Sequence, residues 1–253
     1  MSYYDLHTHS VLSDGELTVA GLVQAAKAHG VGLGVSDHLF CPRMPAPRDV
    51  ERYLDELERH EGVLRGLEAD LGSNFTLPDR IDRRVDYVIA SVHSVQDLKG
   101  GERIPLGPYF AARAGDEGAP PYARVFSPDE AKRYLEQILG VFAYDLAAQR
   151  VDILGHCVVN PFYDVLRGDP WLTGWEDEVI TLCKRHGVAM EVSSLWNAPD
   201  EGMLRRATGA GVQLSLGSDC HRPGQAGCLD WPVAVTRRLG LAAGDLYLPQ
   251  RKA

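Results

Sequence analysis

Short apolar runs recur along the chain, and segments whose apolar residues follow a helical period lie between them. Seven of these runs predict β-strands, at residues 3–7, 31–36, 62–67, 86–92, 151–155, 187–193 and 212–217. The intervening periodicity predicts helices within LTVAGLVQAAKAHG and at residues 47–61, 127–149, 176–186 and 199–210. Alternation of strand and helix is typical of parallel β/α units. Seven such units favour a closed barrel, with an open parallel sheet as the alternative.

One segment interrupts this alternation. Residues 99–126 are rich in Gly, Pro and Arg and show no period, so they predict a long loop. Loops of this length inside a compact domain are usually functional or disordered. Directly after it, Ser127, Pro128 and Glu130 predict a capping box that starts the next helix. No repeat or low-complexity tract marks a boundary, so we expect one domain over residues 1–253.

Composition narrows the class of protein. The 253 residues, 45% of them hydrophobic, are enough to build one large core. The net charge of -9 argues against a broad nucleic-acid or membrane-binding surface, which would need a basic face. No apolar run approaches the length of a membrane span. Five cysteines occur without a CxxC pair or a preceding signal peptide, and we interpret them as reduced thiols in a cytoplasmic protein.

Histidine and carboxylate side chains stand where the predicted strands end. In β/α barrels the C-terminal ends of the strands converge on the active site, so residues distant in sequence would meet there. Residues two apart along a strand point the same way, which pairs His7 with His9 on one wall. The nine candidate ligands are His7, His9, Asp14, His38, Glu68, His93, His156, Asp219 and His221.

This set of side chains predicts a site for several metal ions. Neutral imidazole and carboxylate are ligands of first-row divalent metals, and the lack of thiolates favours Mn, Fe or Zn. One ion takes about four to six ligands, so nine candidates suit two or three ions. Glu68 could then bridge two of them. A water shared between the ions would lose a proton near neutral pH and attack a phosphoryl group.

The motifs DLHTHS, SDG, SDH, GLEAD, SVH, GHC and GSDCH resemble, in this order, those of the PHP (polymerase and histidinol phosphatase) family of metal-dependent phosphoesterases. The resemblance spans Tyr4 to His221 and fills all nine ligand positions. It implies a distorted, TIM-like (β/α)7 barrel with a trinuclear metal site at the C-terminal ends of the strands. The ligand sets it implies are His7, His9, Glu68 and Asp219 for one ion, Glu68, His93 and His156 for a second, and Asp14, His38 and His221 for the third.

Within that family, GLEAD, DYVIASVH and GSDCHRPG resemble the histidinol-phosphatase branch. This branch implies a phosphomonoesterase of histidine biosynthesis, with histidinol phosphate as the leading candidate substrate. It also implies attack by a metal-bridging hydroxide, without a covalent intermediate. The catalytic residues are then expected to be Glu68, Asp219, His221 and Arg222.

The expected substrate contacts depart from that branch. In that branch the motif NTAGLR carries an arginine that helps to hold the substrate, and a second motif reads GHLD. This chain has EVSSLWNAPD and GHCVVN at these places, and EVSSLWNAPD contains no arginine. A guanidinium fork binds two phosphate oxygens at once, so we expect another arginine to hold the phosphate. The candidate arginines are Arg222, Arg113 and Arg124, and Trp196 and Asn197 are candidates for lining the leaving-group pocket.

Two further functions stay open from the sequence. One is a phosphodiesterase or exonuclease that acts on nucleotides or short nucleic acids, with the net charge of -9 arguing against long ones. The other is a metal-bound regulatory module without turnover, although no ligand position is lost. Among the remaining polar residues, Asp37 is expected either to orient an imidazole or to cap a helix. Glu191 is expected either to face the site or, as the favoured option, to pair with a core arginine.

Overall fold

Seven parallel strands form a sheet that curves into a barrel, as the alternation of strands and helices predicts. The computed structural model describes residues 2–249. Its strands are β1 (Tyr4–Asp5), β2 (Gly32–Val35), β3 (Leu64–Asp70), β4 (Tyr87–Ser91), β5 (Ser94–Gln96), β6 (Arg103–Pro105), β7 (Ile153–Leu154), β8 (Ala189–Ser193) and β9 (Leu214–Gly217). The barrel strands pair in the order β1, β2, β3, β4, β7, β8 and β9. These are the seven predicted strands in their predicted sequence.

Hydrogen bonds between the last strand and the first nearly close the barrel. The Leu6 N–H donates to the carbonyl of Leu216 (3.0 Å). The Asp219 N–H donates to the carbonyl of His7 (2.8 Å) just beyond the strand ends. The barrel is therefore the correct choice over the open sheet. Its closure brings two predicted metal ligands from opposite ends of the chain side by side.

Helices follow most of the strands and cover the outside of the barrel. They are α1 (Val19–His29), α2 (Pro47–Leu57), α3 (Asp79–Asp82), α4 (Gly107–Ala114), α5 (Pro128–Ala148), α6 (Pro161–Val165), α7 (Trp171–His186), α8 (Glu201–Gly209) and α9 (Asp230–Arg238). The capping box is confirmed: the Ser127 side chain accepts from the Glu130 N–H, and Glu130 accepts from the Ser127 N–H (3.0 Å). Within residues 2–249 no helix is both long and apolar enough to cross a bilayer.

The α7 helix begins earlier than predicted. It starts at Trp171 rather than at residue 176, so Trp171 and Trp175 lie inside the helix. Trp175 is buried, and its Nε1–H donates to the carbonyl of Leu135 in α5 (2.8 Å). The polar residues around these two tryptophans obscured the helical period. Trp175 thereby packs α7 against α5.

The segment 99–126 contains regular structure that its composition does not reveal. β6 pairs antiparallel with β5, with the buried residues Val95 and Ile104 opposite each other. The α4 helix follows directly and ends at Gly115 in the left-handed conformation. The prediction of an unstructured loop is therefore wrong for residues 103–114. A strand of three residues and a helix of eight are too short to show a period among glycines and prolines.

Tyr87 fills the space between several strands below the site. Its hydroxyl donates to the carbonyl of Leu6, the residue that follows β1 (2.6 Å). A Cβ at Gly34 or Gly66 would lie within 2.3 Å of the Tyr87 side chain, so these two strands carry glycine where the ring passes. The apolar cluster around this ring comprises Leu6, Leu64, Tyr87, Ile89, Ile153 and Ala189. This packing gives the strand ends above it a rigid base.

Candidate metal centre

Glu68 in β3 lies at the centre of a cluster of imidazoles. The side chain is buried, and its Oε2 atom faces histidines from two neighbouring strand ends. The distances from Oε2 are 3.3 Å to His7 Nε2, 3.4 Å to His9 Nε2 and 3.1 Å to His38 Nδ1. Three nitrogens therefore approach one carboxylate oxygen from the β1 and β2 side of the barrel.

The second oxygen of Glu68 faces a different pair of histidines. Oε1 lies 3.5 Å from His93 Nε2 and 3.3 Å from His156 Nε2, on the β4 and β7 side. One carboxylate thus presents its two oxygens to two separate sets of nitrogens. This is the arrangement that a carboxylate bridging two ions requires.

Two aspartates complete the cluster. Asp219 Oδ1 lies 3.6 Å from His7 Nε2 and 3.5 Å from His9 Nε2. Asp14 Oδ2 lies 3.5 Å from the Nε2 atoms of both His38 and His221. All nine sequence-predicted ligands therefore meet in one place at the C-terminal ends of the strands.

The cluster has unpartnered buried atoms that a cation would satisfy. His7 Nε2, both ring nitrogens of His9 and Glu68 Oε1 are buried and make no hydrogen bond to any described residue. Buried polar atoms in folded proteins almost always have a partner, because an unsatisfied one costs about 1–3 kcal/mol. A divalent ion, which prefers imidazole and carboxylate donors, fits this donor set. The residues present are thus suited to metal ions.

Three groups of ligand atoms are compact enough to hold one ion each. In each group the donor atoms lie within 4.8 Å of one another. The groups are His7, His9 and Glu68; His38, Glu68 and His93; and His9, Asp14, His38 and His221. His9 therefore takes part in two groups and not only in the first, because its Nδ1 atom lies 3.7 Å from Asp14. His38 likewise faces Glu68 as well as Asp14.

Burial and opposite charges set the protonation of the cluster. Burial lowers the pKa of His38 to about 4 even though Glu68 is adjacent, so this imidazole is neutral. Burial opposes protonation of His93 as well, but Glu68 and Asp70 raise the pKa of His93 to about 10. Against burial, Asp14 and Asp219 raise the pKa of His221 to about 9. Ion binding must therefore displace protons from some of these imidazoles.

Two carboxylates outside the predicted set fix the orientation of the imidazoles. Glu191 Oε1 lies 2.6 Å from His7 Nδ1. Asp70 Oδ1 lies 2.5 Å from His93 Nδ1. The favoured expectation that Glu191 pairs with an arginine is wrong, because its side chain in β8 points to the site. Asp70 could have been found from the sequence, since it lies two residues after Glu68 on the same strand and so shares its face.

Asp37 has a role that neither of its two expected ones describes. It accepts hydrogen bonds from the Ser10 N–H (2.6 Å) and the Ser10 hydroxyl (2.5 Å), and also from the Ser13 hydroxyl. It therefore neither orients an imidazole nor caps a helix. Instead it holds the turn after β1, which carries Asp14 to the cluster.

The backbone is strained at two of the ligands. His156 has a φ of 24° and Asp219 a φ of 53°, in the region that residues with a side chain rarely adopt. Such conformations cost on the order of 1–3 kcal/mol and persist where the surrounding structure imposes them, often at functional sites. The strain at these positions points both side chains into the cluster.

A cavity of about 380 Å³ opens beside the cluster. The side formed by the predicted ligands is called the ligand wall below. The apolar part of the lining is called the aromatic wall and is built by α4 and the loop after β8. The aromatic wall comprises Phe110, Ala111, Ala114, Leu195 and Trp196. Glu16, Asp116 and Arg222 lie between the two walls.

Arg222 lines the cavity, as expected for a substrate contact. Its Nη2 atom lies 2.8 Å from Asp116, and its Nε atom lies 3.9 Å from Glu16. Among the described residues that line this cavity, it is the only arginine. The two carboxylates hold the guanidinium within the cavity, where it can meet an anionic group.

Trp196 and Asn197, the two candidates in the loop after β8, take different positions. Trp196 lines the cavity, and its Nε1–H donates to Asp219 Oδ2 (2.6 Å). It therefore both forms the wall and fixes a predicted ligand. Asn197 is exposed and does not belong to the cavity lining, contrary to expectation. Its φ of 48° turns the chain outward directly after the tryptophan.

The other two arginines also lie outside the cavity lining, contrary to expectation. Arg113 donates to Asp164 (2.7 Å) and to the Tyr109 hydroxyl (2.5 Å), and these bonds hold its guanidinium outside the lining. Arg124 is exposed. Phe110 and Asp116 line the cavity, although the sequence did not indicate either of them. Both come from the segment predicted as a loop, where no period indicated which side chains face the site.

Comparison with known proteins agrees with this geometry. A sequence model of the PHP domain matches residues 5–192. A probable phosphatase of Clostridium acetobutylicum is 37% identical over 101 residues, which cover 36% of this chain and 41% of that protein. A probable phosphatase of Thermoanaerobacter sp. is 26% identical over 96% of this chain and 89% of its own length. The 5′-3′ exoribonuclease Rnm of Salmonella typhimurium is 27% identical over 95% of this chain and 90% of its own.

A solved structure supports the fold. It is a Listeria monocytogenes protein named as a candidate histidinol phosphatase, hisK, with a TM-score of 0.66 and 13% identity. The match covers 89% of this chain and 97% of that one. The PHP domain match spans well over half of the sequence, and the barrel of this chain carries the expected histidine and carboxylate cluster. The chain therefore belongs to the PHP domain family of phosphoesterases.

Proposed function

We propose that this protein is a metal-dependent phosphomonoesterase that hydrolyses a small phosphate ester, with L-histidinol phosphate as the leading candidate substrate. The observation that carries the proposal is the cluster of nine ligands around the buried Glu68, which opens onto a cavity with an arginine between its walls. We propose two or three ions of Mn, Fe or Zn in this cluster. The proposal places the enzyme in the cytoplasm, as one domain over residues 1–253.

The chemistry divides between the two walls. The ligand wall would hold divalent ions, which when bound would supply Lewis acidity toward the phosphoryl oxygens and lower the pKa of water. Glu68 and Asp219 keep the imidazoles grouped around them. Arg222 is placed to bind two oxygens of the phosphate. The substrate phosphate then lies between the ligand wall and this guanidinium.

The size and lining of the cavity support a small leaving group. A volume of about 380 Å³ is at the lower end of small-molecule sites, which run to roughly 300–1,000 Å³. Phe110 and Trp196, whose ring centroids are 5.7 Å apart, offer flat apolar surface. A compact ring such as an imidazole fits against such a surface. Glu16 and Asp116 would favour a leaving group that carries an amine.

Release of inorganic phosphate tests the proposal. Purified protein is incubated with Mn²⁺ and L-histidinol phosphate, and separately with an aryl phosphate, with and without a chelator. We expect chelator-sensitive release, with kcat/KM orders of magnitude higher for L-histidinol phosphate. Similar slow rates on both esters would keep the phosphatase and reject this substrate. No release from any phosphomonoester under metal loading would reject the function.

A nuclease is the second candidate, favoured by the exoribonuclease relative that matches 95% of this chain. Its substrate would be a nucleotide or a short 5′-phosphorylated RNA. The carboxylates of Glu16 and Asp116 between the walls oppose a polyanion, because they repel additional phosphates. Degradation of a short RNA faster than hydrolysis of small esters would establish this candidate in place of the phosphomonoesterase.

A further inference from the structure

One buried carboxylate connects two parts of the metal cluster. Glu191 in β8 is only 1% exposed. Its Oε1 atom lies 2.6 Å from His7 Nδ1, and its Oε2 atom accepts the His156 N–H at 2.6 Å. His7 faces Glu68 Oε2, whereas His156 faces Glu68 Oε1. Glu191 therefore contacts one residue on each side of the bridging carboxylate.

The contact with His7 decides which ring nitrogen is available to an ion. An ionised carboxylate only accepts hydrogen bonds, so His7 Nδ1 must carry the proton in this pair. In a neutral imidazole the lone pair then lies on Nε2. That atom faces Glu68 and Asp219 and makes no hydrogen bond to a described residue. Glu191 thus directs the metal-binding nitrogen of His7 toward the cluster.

The contact with His156 holds a strained backbone. The φ of 24° at His156 needs an imposed geometry, and the bond from its N–H to Glu191 supplies one. Space for the carboxylate comes from Gly217 in β9. A Cβ there would lie 2.5 Å from Glu191 Oε1 and 2.6 Å from the Cβ of His7. The glycine in β9 thus leaves room for this one side chain.

We propose that Glu191 is a positioning residue that couples two ion sites, by fixing the tautomer of His7 and the backbone of His156 together. The inference rests on the metal binding in the proposed function. Asp70 provides the contrast, because among the described residues its carboxylate hydrogen-bonds only to His93, and the side chain is largely exposed. Loss of the Glu191 carboxylate should therefore weaken the binding of two ions, and loss of the Asp70 carboxylate should weaken the binding of only one.

Zn²⁺ titration of the metal-free full-length chain tests this coupling. Stoichiometry and affinity are measured by competition with a metallochromic chelator for wild type, Glu191→Gln and Asp70→Asn. Glu176→Gln is the matched control, since Glu176 is a buried carboxylate bonded to Tyr163 and Arg206 outside the cavity lining. Loss of an orienting partner typically weakens metal affinity about 10–100-fold. We expect that loss for two ions in Glu191→Gln, for one in Asp70→Asn and for none in Glu176→Gln.

The outcomes separate the two proposals. A wild-type chain that binds no Zn²⁺ would refute the proposed function itself. Tight binding by wild type with the same affinities in Glu191→Gln, or with only one ion weakened, would refute the coupling alone. If Glu191→Gln does not fold, ¹⁵N NMR of the histidine rings in the Zn²⁺-loaded wild type still decides. A proton on His7 Nε2 instead of Nδ1 would overturn the proposal.

Discussion

The two walls of the cavity are built in different ways. The ligand wall takes its side chains from the ends of parallel strands, and most of these are buried or held by hydrogen bonds to carboxylates. The aromatic wall comes from α4, which follows the β5–β6 hairpin, and from the loop after β8. Barrel topology alone brings the first set together. The second set depends on two inserted segments.

This difference assigns separate tasks to the walls. A change in the ligand wall should affect every substrate, because all of them need the same ions. Apart from Trp196, which also holds Asp219, a change in the aromatic wall should alter KM for some esters and leave others nearly unchanged. Mutation can therefore separate catalysis from substrate choice. We expect changes in the ligand wall to act mainly on kcat and changes in the aromatic wall to act mainly on KM.

Glu68→Gln should have the largest effect. The amide keeps the volume but loses the charge that faces five imidazoles. We expect phosphate release to fall by several orders of magnitude on all substrates, because bridging of ions requires an anionic oxygen. Rates are measured under Mn²⁺ saturation, and metal content is measured by mass spectrometry.

The control for this variant is Asp145→Asn. Asp145 is also buried, but it accepts from the Gly72 N–H (2.6 Å) away from the cavity lining. It should retain near wild-type activity. Full metal loading together with retained turnover in Glu68→Gln would show that the ligand assignment is wrong.

Removal of the ions should lower thermal stability. An ion present at about 100 times its Kd stabilises the folded state by about 2.7 kcal/mol. For a domain of this size, 1 kcal/mol corresponds to about 2–4 °C, so a chelator should lower Tm by roughly 5–10 °C. Scanning calorimetry with and without EDTA measures this. An unchanged Tm would argue against tightly held ions in the ligand wall.

The sequence predicted the ligand wall almost completely, for a physical reason. Parallel strands end at the same side of a barrel, so the positions of His7, Glu68 and Asp219 follow once the strands are recognised. The recurring apolar runs had indicated all seven strands of the barrel. Residues that share one face of a strand, such as Glu68 and Asp70, could be predicted in the same way.

The remaining features could not be predicted from local patterns. Glu191 contacts His7 across 184 positions of sequence, and only closure of the barrel brings them together. Phe110 lies in a helix of eight residues within a segment rich in glycine and proline. Arg113 was predicted as a candidate phosphate ligand, but its guanidinium is bound to Asp164. Each depends on tertiary contacts that periodicity does not encode.

Arg222→Ala should affect KM more than kcat. A hydrogen bond to a charged group contributes about 1.5–3 kcal/mol, and the partial exposure of Arg222 places its effect at the lower end. We expect KM for phosphomonoesters to rise about ten-fold. Steady-state kinetics on two esters measures it. Arg113→Ala, which removes a guanidinium bound to Asp164, is the control and should leave KM nearly unchanged.

Phe110→Ala should have the smallest and most selective effect. Its ring lies in the aromatic wall, 5.7 Å from Trp196 and 5.4 Å from His156. Aromatic pairs contribute about 0.5–1.5 kcal/mol beyond their buried area, so KM for an ester with a ring should rise about two- to ten-fold. KM for glycerol phosphate, which has no ring, should change little. Phe110→Leu keeps apolar volume without the ring, and it should resemble alanine if stacking matters. Equal loss on both esters would mean that α4 positions the ligand wall, and that the two walls do not act separately.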